Sequence, residues 1–426
     1  MNELKIILLV GLAALFQLSG FGQNNRNKKN DKMRVLENDT AFQRWQEERR
    51  QQELKNKAEF LEYINTVNPD TVKELHLTHM GFTDWPDITR FDSITRLVAS
   101  ENNLTSTKLD LSFYPRLKSI VFSGNKSKHI RFSRHDSIVS LSLSENELKR
   151  IPRSIRKLPN LKILNLSNNH IKRIPRWLKR MSALEDIDLN YNQLHLSRAS
   201  IKRLHNIRIL QMGGNQLTEL PKNMGTLHRV KKLNLGKNLL SDVPDSFNQL
   251  DSLNTLIFYS NKFRNIPLVI TQLKQLAELD YYYNELETVP PELGSMTQLK
   301  RLYLAFNHLE TLPDTLRNLK SLRYFYVHHN LLGSIPDWIT HFQQMEILDV
   351  SYNNLFEIPD FSVMPALYEL DIQHNEIAWF PWAMLEKPNL KLLLAKDNPF
   401  ILDKEQRSQL EEITKEMSER GVTILF

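Results

Sequence analysis

Residues 161–175 read Leu161-Lys162-Ile163-Leu164-Asn165-Leu166-Ser167-Asn168-Asn169-His170-Ile171-Lys172-Arg173-Ile174-Pro175, and the pattern returns along most of the chain. An apolar residue opens the unit at Ile138, Leu161, Leu184, Ile207, Val230, Leu253, Leu276, Leu299, Leu322 and Met345, each 23 residues after the last. Less regular units open at Val72, Ile94 and Leu117 before this block and at Leu367 and Leu390 after it, fifteen in all. A period in this range predicts a solenoid, in which each unit buries its apolar side against its neighbours. Such stacking removes the core-size limit that a single domain of 426 residues would meet.

Counting from the opening residue, positions 1, 4, 6 and 11 are apolar, position 9 is asparagine, and positions 14 and 15 are Ile-Pro or Leu-Pro. Positions 4 and 6, such as Leu164 and Leu166, alternate with polar neighbours, the period of a half-buried strand. Stacked strands of this kind predict one parallel sheet. Such sheets are normally covered on both faces, but here the rest of each unit can return across one face only, which leaves the other open. The asparagines (Asn146, Asn169, Asn192, Asn215, Asn238, Asn261, Asn284, Asn307, Asn330, Asn353, Asn375, Asn398) carry amides able to satisfy backbone groups where the chain turns out of the strand. Proline at position 15, as at Pro152, Pro175 and Pro313, lacks the N–H that a ladder needs and so opens the return segment. Apolar residues near positions 18 and 21, such as Ile270 and Leu273, suit a short helical turn. Ser197-Arg198 stand where one Ile-Pro pair is due, which predicts a local change of curvature.

The pattern resembles the leucine-rich repeat family over residues 72–400, and is most similar to the 23-residue repeats of bacterial proteins and cytosolic adaptors. The resemblance implies an α/β solenoid: a curved horseshoe with a concave parallel β-sheet, short convex helical turns and helical caps at both ends. Extracellular animal members usually close their ends with disulfides, and this chain has no cysteine, which leans toward a bacterial or an intracellular member. The ubiquitin-ligase domains attached to some bacterial members depend on a cysteine, so that activity is not expected here.

The remaining segments read in order. Lys5 precedes a nearly unbroken apolar run from Ile6 to Leu18, and Gly20-Phe21-Gly22 offers a cut after Gly22, so residues 1–22 are expected to be a secretory signal peptide. The run is shorter than the ~18–20 residues that span a bilayer, and no later stretch reaches that length, so the mature chain is expected to lack a transmembrane segment. Residues 23–38 are polar without a core pattern and are expected to be a disordered spacer. Within 39–71, Thr40 with Gln43 matches a capping box, and Leu54, Ala58 and Leu61 recur at helical spacing; this helix is expected to shield the open end of the array at 72–400. Residues 401–426 form the second cap, with Asp403 and Gln406 as a capping box, Leu410, Ile413 and Met417 as an apolar stripe, and Val422–Phe426 as a last strand.

Catalytic signatures are missing: no phosphate-binding glycine loop, no Gly-x-Ser-x-Gly elbow and no His-Glu-x-x-His. No enzyme activity and no cofactor are expected. His76 with His79 and His328 with His329 lack an evident third ligand, so no metal site is expected either. The informative positions are 3, 5, 7 and 8, which should line the open face. They are small or polar early in the array and aromatic later: Tyr259, Tyr282, Tyr283, Tyr303, Phe306, Tyr324, Tyr326, His328, His329, Tyr352 and His374, with Asp280, Asp349 and Asp371 among them. Position 8 alone runs Tyr283, Phe306, His329, Tyr352, His374, and at ~4.8 Å per strand such a column should span roughly 19 Å. Large side chains that also hydrogen-bond suit a recognition surface. The alternative is that they stabilise the sheet by stacking on one another.

A second feature is electrostatic. Lys149, Arg150, Arg153, Arg156 and Lys157 recur one unit later as Lys172, Arg173, Arg176, Lys179 and Arg180, a basic patch on the outer flank within a chain of net charge +7. An anionic envelope component or an acidic protein would suit it, as would plain solvation. The sequence thus predicts a recognition protein, exported to the periplasm, the medium or the cell surface of a bacterium, that binds a protein or peptide on its concave face. A glycan on the same tyrosines is the alternative ligand. An intracellular adaptor is the alternative if the leader is not used, and nucleic acid is disfavoured by the leader.

Overall fold

The computed structural model describes residues 40–426, so the expected leader and spacer lie outside the described residues. Two compact units are distinguished: the chain up to Val67 with His79–Gly81, and Asn68–Thr78 with Phe82–Phe426. In the first, one helix spans Thr40–Thr66. Its exposed face carries pairs at helical spacing, such as Arg49–Glu53 at 3.2 Å, and the Asn56 amide donates to the His79 carbonyl at 3.2 Å.

The second unit is the solenoid. Sixteen of its described strands form one parallel sheet, ordered as in the sequence, from Glu74–His76 to the final Thr423–Leu425. Register is set by position 4: Leu233 pairs with Leu256, Leu256 with Leu279, Leu279 with Leu302, and Leu302 with Phe325. A slip of one residue would turn every buried leucine outward, so one register is strongly preferred. Leu161, Leu164, Leu166, Ile171 and Ile174 are fully buried, and Leu178 and Met181 nearly so, which places the core between sheet and return segments. The returns are short 3-10 turns, such as Arg153–Lys157, Asp245–Gln249 and Asp314–Asn318, each entered from a proline at φ between −58° and −70°.

The position-9 asparagines work as bridges. The Asn307 amide donates to the carbonyls of Leu304 and Ala305 in its own rung and of Tyr281 in the preceding one, at 2.9, 3.1 and 3.0 Å. Its carbonyl accepts the Leu286 N–H at 2.8 Å. A buried turn that would otherwise strand its polar groups is thereby satisfied on every regular rung.

Where proline is missing the returns change. At Ser197 the return becomes one helical turn, Arg198–Ile201, capped by a Ser197–Ser200 box. At the irregular start, position 15 is Lys108 and then Arg131, between Pro86 and Pro152. There Ser106–Leu109 and His129–Phe132 pair as a second, two-stranded parallel sheet. The sequence reading did not foresee it. Its extent follows from the prolines: two successive returns with free N–H groups can pair, and a proline on either side ends the ladder. At the C-terminal end the helix Lys404–Glu419 carries the Asp403–Gln406 box, and Gly421 leaves it at φ +80° before the last strand.

Candidate functional site

The open face is built from positions 3, 5, 7 and 8. Position 8 ends each strand in the left-handed region, with φ of 57° at Tyr283, 53° at Phe306, 50° at His329, 49° at Tyr352 and 51° at His374. This conformation is costly for a bulky L-residue. The backbone is held there by the next rung: Tyr283 N–H donates to Ala305 O, Phe306 to His328 O, and His329 to Ser351 O, each at 3.0 Å. The side chains are thereby projected in parallel and stack face to face, at centroid distances of 4.0, 3.9, 4.0 and 4.1 Å along Tyr283–Phe306–His329–Tyr352–His374. The spacing is tighter than the ~4.8 Å between strands, so the column is shorter than the sequence predicts. The rings lie where the rungs converge, on the inside of the curve. At the far end His374 pairs with Asp397 at 3.1 Å.

A second group fills positions 5 and 7. Tyr303 and Tyr326 stack at 5.1 Å and 9°. Tyr259 stacks on Tyr282 at 5.8 Å, and Tyr282 meets His328 edge-on at 5.4 Å, across the rung whose position 7 is the small, buried Ala305. Tyr324 donates its hydroxyl to Glu346 at 2.8 Å and lies under Arg301 at 5.0 Å. Burial raises the Tyr282 and Tyr326 hydroxyls and pushes Tyr303 up to about 12, so all three stay protonated donors.

The three aspartates lie beside these rings, and each has a structural task. Asp280, Asp349 and Asp371 accept the backbone N–H two residues on, at 2.8, 3.1 and 3.1 Å. Asn165, Asp188 and Asn234 do the same earlier in the array, so position 5 closes the strand end in both halves. Burial pushes Asp280 up to about 7 and raises Asp349; burial and the neighbouring Asp349 raise Asp371. An incoming cation would favour their ionised forms. His328 and His329 share a contact of 2.8 Å between Nδ1 atoms, where one must donate and the other accept. Burial lowers both to about 4, and Asp349 lies 3.7 Å from His328, beyond hydrogen-bond distance. Among the described residues no group of three or more potential metal ligands is gathered.

The structure also places features that the sequence reading missed. A groove of about 750 Å³ follows positions 2 and 3 over rungs 161 to 253, with Lys162, Arg208 and Lys231 along it and Ile163 47% exposed. Its signal was an isoleucine at position 3 in two rungs (Ile163, Ile209), both facing out. The basic patch divides. Lys149, Arg150, Arg153, Arg156 and Lys157 line a cleft of about 890 Å³ together with Lys128 and Arg131, whereas Lys172, Arg173, Arg176, Lys179 and Arg180 do not.

Comparison with known proteins accords with this geometry. A model described as a leucine-rich repeat region matches residues 180–379, and one described as a leucine rich repeat matches 115–171 and 136–194. No curated protein sequence matches. Among solved structures, a leucine-rich repeat protein of Leptospira interrogans is similar at 22% identity and TM-score 0.69, over 86% of this chain and 98% of that one. An internalin of Listeria monocytogenes is similar at 19% and 0.58, over 75% and 86%. A chain of the Toll–Spatzle complex of Drosophila is similar at 20% and 0.56, over 72% of this chain and 51% of that one. At these identities the likeness is one of fold.

Proposed function

Because the chain belongs to the leucine-rich repeat family, we propose that it is a recognition protein without catalysis of its own, which takes an extended segment of another polypeptide on the open face of its sheet. The fold is an interaction scaffold, and the solved Toll–Spatzle complex is an example of that fold meeting a protein partner. Site chemistry carries the rest. The supporting observation is the arrangement of rings between Tyr259 and His374. In the position-8 column each inner ring has both faces against its neighbours, at 3.9 to 4.1 Å. A sugar needs a free ring face to stack upon, which the inner rings of the column do not offer and which Tyr303 and Tyr326, stacked on each other, offer on one side only. A polypeptide can use what this surface offers instead: ring edges, tyrosine hydroxyls, imidazole nitrogens, and carboxylates that ionise as a Lys or Arg approaches.

The ligand is placed across Tyr303 and Tyr326, with the position-8 column as one wall. The test is immobilised protein exposed to a random peptide library and, in parallel, to a glycan array. Saturable peptide capture displaced by free protein supports the proposal; saturable glycan binding with no peptide capture overturns it. We also propose export, on the strength of the Ile6–Leu18 run and the small residues at Gly20 and Gly22. Sequencing the N-terminus of protein from the native cell should find Gln23 first, and an intact Met1 in the cytoplasm would refute export and favour an adaptor role. Among the described residues no helix is long and apolar enough to cross a membrane.

A further inference from the structure

The cleft on the outer flank is a product of the proline pattern. Strand His129–Phe132 pairs with Ser106–Leu109 on one side. On the other it faces the segment holding Pro152, which has no N–H to continue the ladder. The backbone ladder stops there, with the Ser154 hydroxyl donating to the Ile130 carbonyl at 3.2 Å, and a cleft of about 890 Å³ lies along the two segments, lined on its apolar side by Ile130, Phe132, Ile151 and Pro152. That volume is within the range of small-ligand sites.

The rim is cationic throughout. Arg131, Lys149, Arg150, Arg153, Arg156 and Lys157 line it, all exposed, and no acidic residue does. Among the described residues none of the six is in an ion pair; Lys128, at one end, is held by Glu147 at 3.6 Å. On the sheet some basic side chains are balanced by the neighbouring rung, as in Arg208–Glu185, Arg301–Glu278 and Arg323–Glu346 at 3.6, 3.8 and 3.4 Å. Six uncompensated cations around one concavity raise its potential well beyond that of scattered surface charges. Residues 23–38 of the chain are themselves net basic and cannot supply the missing charge.

We infer that this cleft binds clustered phosphate groups. The argument is one of charge density. A phosphate ester brings up to about two charges and three acceptor oxygens to one point. An extended acidic peptide sends alternate side chains to opposite faces, so it offers one wall a carboxylate only every ~6.6 Å. Arginine forks at Arg131, Arg150, Arg153 and Arg156 suit tetrahedral oxyanions by paired N–H donors, with the lysines as mobile point charges. The apolar floor accommodates whatever carries the phosphates. The site is remote in sequence from the aromatic rungs, and it stands or falls without the open-face proposal.

The experiment titrates inorganic tripolyphosphate into the whole protein at low salt by calorimetry, and separately floats the protein with vesicles of phosphatidylcholine with or without phosphatidic acid. Two triple variants are compared: Arg131→Gln with Arg150→Gln and Arg153→Gln in the cleft, and Lys172→Gln with Arg173→Gln and Arg176→Gln one repeat away. The second set removes equal charge from the same flank but does not line this cleft. The cleft variant should weaken binding by at least about tenfold, the loss of one charge-assisted hydrogen bond or more, and the control by far less. Tripolyphosphate binding identifies a soluble ligand, and flotation only with phosphatidic acid a lipid headgroup. Absence of both, equal loss in the two variants, or displacement by an equal concentration of hexaglutamate overturns the inference. All six positions are exposed, and an unchanged melting curve checks that each variant is folded.

Discussion

Replacing Phe306 by glycine should harm the protein less than replacing it by alanine, an inversion of the usual order. Phe306 stands in the middle of the column, stacked on Tyr283 at 4.0 Å and on His329 at 3.9 Å, with its backbone at φ 53°. Either substitution removes both stacks, worth about 0.5–1.5 kcal/mol each. Alanine keeps a Cβ in the left-handed region, where it costs about 1–2 kcal/mol. Glycine is free of that term but gains about 0.4–1 kcal/mol of extra entropy in the unfolded chain. The expected order of stability is therefore wild type, then Phe306→Gly, then Phe306→Ala, with roughly 0.5–1 kcal/mol between the last two. Urea unfolding followed by tryptophan emission reads this, because Trp338 is buried in the adjacent rung and bonded to Asp314 at 3.1 Å. Coupling in a solenoid is between nearest neighbours, so the probe is well placed. Alanine equal to or better than glycine would mean that the next rung does not hold position 8 in the left-handed region. Full stability in both variants would mean that the rings contribute nothing to the fold.

Two further predictions concern the scaffold and its charges. Asn307→Ala strands the Leu286 N–H at a buried rung boundary and takes one of two amide donors from the Tyr281 carbonyl, which keeps that of Asn284; a loss of about 2–3 kcal/mol is expected, and hydrogen exchange should show it confined to rungs 276 to 322. Asp371→Asn should stabilise the protein increasingly as pH rises. Burial and the neighbouring Asp349 raise the carboxyl above its ordinary value near 3.8, so the native state keeps the proton to higher pH than the unfolded chain and stability falls as pH climbs between the two. The amide cannot ionise and still accepts the Gln373 N–H. The gain should be near zero at pH 4 and grow steadily toward pH 9, because only the carboxylate form is penalised by burial. The histidines act oppositely and elsewhere: lowered to about 4, His328 and His329 weaken the fold as pH falls from about 6.5 toward 4, so urea midpoints between pH 7 and 9 isolate the aspartate. A flat difference across that range would refute the assignment.

Much of this was legible in residues with one physical task. Leu164, Asn169 and Pro175 declare strand, turn and return because burial, amide bonding and a missing N–H each allow few substitutes. Val422–Phe426 alternates and does pair as the last strand. The second sheet was written in the sequence too, but as an absence: no proline at Lys108 or Arg131, between Pro86 and Pro152. Other features depend on neighbours in space. That Phe306 and His329 are aromatic is visible in the sequence; that their ring faces are occupied by one another depends on a backbone conformation unusual for either residue. The division of the basic patch was hidden for the same reason, since Arg150 and Arg173 hold the same repeat position and differ only in what lies across from them. The aspartates were legible as polar groups on the face, but not as closers of the strand end.

Recognition on the open face is tested most directly by the affinity of a captured polypeptide for wild type and for Tyr303→Ala with Tyr326→Ala. The pair is half-buried and stacked at 5.1 Å, so its loss should cost only about 1–2 kcal/mol of stability and leave the array folded. Binding should weaken by about a hundredfold or more, as when two central tyrosine contacts are removed from an interface. An unchanged affinity in a folded variant would contradict a binding role for the aromatic rungs and leave their rings a purely structural stack.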